Sequence, residues 1–82
     1  MMDVLYFAWV RERVGLPKER VETGAATVRE LVAELKAREP RYEAAFADEG
    51  ALRVAVDQEL TDFDASLADA REVAFFPPMT GG

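Results

Sequence analysis

Apolar and polar positions alternate between two periods along this chain. Val4-Leu5-Tyr6-Phe7-Ala8 is aromatic and apolar on both faces, which predicts a first strand that is central or covered by a partner. With Asp3 facing outward, Val4, Tyr6 and Ala8 would face a helix, and Leu5 and Phe7 the opposite side. Val10 to Val14 predicts a short helical turn closed by Gly15. Pro17 then suits the start of an edge strand, where its missing N–H is tolerated, and Lys18 to Thr23 would be that strand.

The next segment changes period. Thr27-Val28-Arg29-Glu30 fits a capping box, with Thr27 as N-cap and Glu30 at the third helical position. Val28, Leu31, Val32 and Leu35 follow at helical spacing, while Arg29, Glu30, Glu34 and Lys36 face away as solvated charges. Pro40 stops the helix, because the residue before a proline avoids the helical region. Tyr42, Phe46 and the alanines between them predict a second short helical piece.

Leu52, Val54 and Val56 alternate with Arg53, Ala55 and Asp57, the pattern of a half-buried strand, and Asp57-Gln58 reads as a turn before Leu60. Asp69-Ala70-Arg71 turns the chain into a last strand, Glu72 to Phe76. Pro77-Pro78 ends it, since neither residue can donate to a ladder. The order strand, strand, helix, strand, strand predicts an α+β roll, one helix across one mixed sheet. The first and last strands, the most apolar, would pair in parallel at its centre.

Composition narrows the chemistry. The 82 residues make one domain, with little surface to spare for a deep pocket. There is no histidine and no cysteine, so disulfides, structural zinc, iron–sulfur clusters and Ser–His or Cys–His pairs have no residues to form them. No metal is expected; carboxylate-only Mg or Ca binding stays open, although no EF-hand loop is present. A net charge of −6 makes nucleic acid and anionic membrane poor partners; it favours a protein with a basic face or serves solubility alone. No signal peptide and no spanning stretch are visible, which leads to a cytoplasmic expectation.

What remains distinctive is the end, Phe75-Phe76-Pro77-Pro78-Met79-Thr80-Gly81-Gly82. This predicts a body, residues 1–76, and a flexible tail, residues 77–82, too poor in apolar groups to pack on its own domain. Without side chains, Gly81-Gly82 can thread a slot too narrow for other residues and present a carboxylate inside a partner. Once activated, that carboxylate can accept a nucleophile at its carbonyl carbon. A frayed end that happens to finish in glycine is the alternative. Strand parity also turns Phe7 and Phe76 outward, and Leu60, between Glu59 and Thr61, would join them in an apolar patch near the tail exit, either a binding site or a second small core under a loop.

From Val4 to Gly82 the chain resembles the small-subunit family of molybdopterin synthase, sulfur carriers of the ubiquitin-like β-grasp superfamily. The residues that carry the resemblance are Leu5-Tyr6-Phe7-Ala8-Trp9-Val10-Arg11-Glu12, Thr27-Val28, Val56-Asp57-Gln58 and Glu72-Val73-Ala74-Phe75-Phe76-Pro77-Pro78-Met79-Thr80-Gly81-Gly82. The family often has Asn-Gly or Asn-Gln at Asp57-Gln58 and Gly-Asp at Ala70-Arg71; both departures fall in turns.

The resemblance implies a ubiquitin-like β-grasp roll and a sulfur-donating, non-catalytic subunit that binds no cofactor itself. An E1-like enzyme would use ATP to adenylate Gly82, and a sulfurtransferase route would convert the adenylate to a thiocarboxylate. The tail, Pro77, Pro78, Met79, Thr80 and Gly81, would enter a large catalytic subunit, within a heterotetramer of two small and two large subunits. There the sulfur would attack a pyranopterin precursor to build a dithiolene. Phe7, Arg11, Leu60 and Phe76 would meet the partner. The alternatives are a carrier for thiazole or tRNA thiolation, a lysine-conjugated modifier, or an interaction domain with inert glycines.

Overall fold

Helix α2, Val28–Arg38, begins where the capping pattern places it. The Thr27 hydroxyl accepts the Glu30 N–H at 3.2 Å, and the same hydroxyl donates to the Glu30 carboxylate at 3.3 Å. Two further N–H groups of the first turn find loop carbonyls: Val28 donates to Ala65 and Arg29 to Phe63. The orphan donors of a helix start are thus met partly by tertiary structure. Val28, Leu31, Val32 and Leu35 are the buried stripe. Glu34, expected as a solvated charge, instead accepts from the Thr23 hydroxyl.

The computed structural model describes residues 1–78; Met79, Thr80, Gly81 and Gly82 lie outside the described residues, and with them the expected acyl site and most of the expected tail. The strands are β1 (Met2–Tyr6), β2 (Lys18–Val21), β3 (Arg53–Val56), β4 (Glu59–Thr61) and β5 (Glu72–Phe76). Two shorter helices, α1 (Ala8–Val14) and α3 (Pro40–Ala45), and one 3-10 turn, Glu49–Ala51, complete the order. The sheet runs β2-β1-β5-β3-β4, with β1 and β5 parallel and every other pair antiparallel. This is the mixed-sheet β-grasp roll, with β1 and β5 paired inside it and Pro17 preceding an edge strand.

Three local expectations are corrected. The first strand starts and ends earlier than Val4 to Ala8, because Ala8 adopts φ 53 and opens α1. Phe7 still donates its N–H to the Phe75 carbonyl at 3.1 Å, so the ladder runs one residue past Tyr6 before the left-handed step turns the chain off the sheet. Ala8 is consequently exposed and does not face the helix. The second strand stops at Val21, short of Thr23. The roll also has a fifth strand: Asp57 and Gln58, at φ 49 and 70, form the two-residue turn of a hairpin whose second arm is β4.

That turn is sewn to the start of β5. One Asp57 carboxylate oxygen accepts the N–H groups of Arg71 at 2.9 Å and Glu72 at 3.0 Å. Phe75 then occupies the middle of the core, fully buried, with Phe46 edge-on at 4.9 Å and Tyr6 stacked at 6.3 Å. A buried side chain of this size contributes about 3–5 kcal/mol against truncation, so the residue just before Phe76 is anchored firmly.

Candidate functional site

Register fixes which side chains share the open face of the sheet. Val4, Tyr6, Val54, Val73 and Phe75 are buried in the core under α2. Their strand neighbours point the other way. Leu5, Ala74, Ala55 and Leu60 are successive cross-strand partners, forming one apolar row from β1 to β4. At a strand spacing of about 4.8 Å, the row spans about 14 Å. The two alanines floor a shallow trough between Leu5 and Leu60.

The next row toward the chain's exit holds Phe7, Phe76 and Arg53. Phe76 is the Cα partner of Arg53, and Phe7 lies beside β5 through its bond to Phe75. Leu60 is 71% exposed and Phe7 46%, while Phe76 is half-buried. These three sequence-selected residues therefore share one surface, next to half-buried Pro77 and Pro78. Arg11 stands exposed one helical turn beyond Phe7 on α1 and makes no ion pair among the described residues. The rest of the expected tail, Met79, Thr80, Gly81 and Gly82, lies outside the described residues.

The strand that feeds this face is held by a polar clamp on its inner side. One Glu19 carboxylate oxygen accepts the Tyr6 hydroxyl at 2.7 Å and the Tyr42 hydroxyl at 2.6 Å. Burial first, and the Glu19 carboxylate second, push both phenols above their ordinary range. The clamp ties β1, β2 and α3 together directly behind Phe7. Beside Leu60, a half-open groove of about 420 Å³ runs between β4 and the 3-10 turn, lined by Leu52, Arg53 and Phe63 among others. Among the described residues no group of three or more His, Cys, Asp or Glu side chains could hold a metal, and no helix is long and apolar enough to cross a membrane.

The family model described as the ThiS family matches residues 4–82. The chain belongs to the ThiS family. This ThiS-family chain is 46% identical over 82 residues to the molybdopterin synthase sulfur carrier subunit of Escherichia coli (strain K12), with all of both chains covered. The protein of the same name from Haemophilus influenzae is 38% identical, again over the full length of both. Among solved structures, SAMP1 from Haloferax volcanii superposes with a TM-score of 0.75 at 31% identity, covering 99% of this chain and 98% of that one.

The sequence pattern did not single out two residues that the ThiS-family fold puts on the same face. Lys18 is the cross-strand partner of Leu5, and Arg53 that of Phe76. Alternation in the third strand already turned Arg53 outward. Only the strand order, with β2 and β3 flanking the central pair, shows that both cations border the apolar field.

Proposed function

We propose that this chain is the sulfur carrier subunit of a molybdopterin synthase, working through the carboxylate of Gly82. The observation that carries the reading is the full-length similarity to two sulfur carrier subunits, at 46% and 38% identity. The position of Phe7, Leu60 and Phe76 beside the start of the tail supports it.

In this reading the Gly82 carboxylate oxygen attacks the α-phosphorus of ATP on an E1-like partner, and pyrophosphate leaves. Hydrosulfide released by a sulfurtransferase then attacks the acyl carbon, the acyl–phosphate bond breaks and AMP leaves. The resulting thiocarboxylate is the cargo. Residues 77–82 carry it into the large subunit, while the apolar row and Arg11 hold the body outside. There the sulfur attacks a carbon of the pyranopterin precursor, the carbon–oxygen bond at that carbon breaks and its oxygen substituent leaves, and water then cleaves the acyl–sulfur bond to restore the Gly82 carboxylate. The chain's lack of cysteine leaves the thiocarboxylate no internal thiol to exchange with. Two small and two large subunits form the assembly, and it works in the cytoplasm.

Intact mass spectrometry of protein from cells making the cofactor tests the reading. A species in which one terminal oxygen is replaced by sulfur is expected, together with loss of dithiolene synthesis on deletion of Gly82. Full activity after that deletion would overturn it. The likeness to the H. volcanii small archaeal modifier protein 1 favours one second reading, a modifier role, in which Gly82 would be joined to lysines. Covalent adducts of this chain on other proteins, with no thiocarboxylate, would select it.

A further inference from the structure

Resting on the carrier reading, we propose that Lys18 and Arg53 select the partner: they form a cationic pair bordering the apolar field and engage carboxylates around the entrance through which the partner admits the tail.

Both side chains share the outer side of the sheet with the residues they flank, Leu5 and Phe76. Both are exposed, and neither makes an ion pair among the described residues, although acidic residues outnumber basic ones 16 to 10. Arg53 has carboxylates close by in the groove it lines and pairs with neither. Glu49 pairs with Arg29 at 2.7 Å, and Asp62 accepts the Asp64 N–H at 2.8 Å. The Arg53 guanidinium instead donates to the Leu52 carbonyl at 2.8 Å and, more loosely, to the Gly50 carbonyl at 3.4 Å. It is oriented and still has donors to offer, the condition that suits a guanidinium to a carboxylate from outside.

The opposite end of the same face carries Asp3 and Glu72, neighbours in register, with Arg20 on Asp3 at 3.2 Å. The two cations, which make no ion pair among the described residues, therefore lie toward the tail exit, and the Asp3 and Glu72 carboxylates lie away from it. A partner with an acidic entrance attracts this chain exit-first and repels the reversed approach. In a protein of net charge −6 the overall interaction with such an entrance is repulsive, so attraction rests on these two local cations.

Association of the full-length protein with purified large subunit of molybdopterin synthase is measured by stopped flow at low and high salt. Lys18→Glu and Arg53→Glu should each slow association about 3–10-fold at low salt, the double variant more, with the difference collapsing near 0.5 M salt. Lys36→Glu makes the same charge change on α2, across the molecule, and should associate like wild type. Lys18→Arg and Arg53→Lys should retain the rate, and unchanged urea midpoints show that the variants fold. Rates within about twofold of wild type for both reversals, or equal slowing by Lys36→Glu, would overturn the proposal while leaving the carrier reading intact. Failure of the wild-type protein to bind would remove both.

Discussion

Leu60→Ala is expected to weaken docking while leaving the fold intact. Full burial of a leucine side chain is worth about 1.5–3 kcal/mol. Leu60 is 71% exposed in the free chain, so most of that gain is still unrealised before a partner arrives. Closing the face over it should recover about 1–2 kcal/mol, which truncation forfeits as a rise of about 5–30-fold in Kd. The free protein has little to lose. Leu60 sits on the outer side of a three-residue edge strand, and its removal should change folding stability by no more than about 0.5 kcal/mol. Phe7, at 46% exposure, already keeps more of its surface dry, so a smaller share of its burial remains for the partner. Titration calorimetry against the large subunit, paired with urea unfolding of the free chain, reads the two quantities separately. An unchanged Kd would refute the reasoning. So would a stability loss above about 1 kcal/mol, which would mean that Leu60 packs on its own domain.

Phe75→Ala should cost about 3–5 kcal/mol, a large share of the roughly 5–15 kcal/mol a domain commands, because three aromatic rings close around it. Urea unfolding followed through Trp9, the sole tryptophan, measures this, and a loss below about 1.5 kcal/mol would contradict the packing. Tyr6 and Tyr42 should make the fold sensitive to alkali. Below about pH 10 both phenols are neutral in the folded and unfolded chain, and their full contribution is present. As pH rises further the unfolded chain releases its phenolic protons first, so stability falls. Urea midpoints across that range should drop, and Tyr6→Phe with Tyr42→Phe should flatten the slope.

The elements of the fold visible in the sequence are those whose signal is local. The α2 stripe, the Thr27 cap, the Gly15 stop and the bounds of β5 each depend on residues within a few positions of one another. The β4 strand has three residues and one large apolar side chain, too short for alternation to register. The left-handed step at Ala8 has no local marker, since glycine or asparagine would normally announce it. It follows directly on the Phe7 N–H bond to the Phe75 carbonyl. The candidate site divides the same way. Parity identified Phe7 and Phe76, and the polar neighbours Glu59 and Thr61 marked Leu60, while Lys18 and Arg53 entered only once strand order placed β2 and β3 on either side of the central pair.

The place of β5 between β1 and β3 also decides how the molecule bears traction. A pull on the segment beyond Phe76 runs along the strand axis and loads the ladders on both flanks at once, in shear. The chain's other end leaves from the far end of the parallel neighbour, so the load is shared across the sheet and the hydrogen bonds resist together rather than unzipping in sequence. On the proposed carrier reading, an end passed between partners would be tugged repeatedly without unravelling the body behind it.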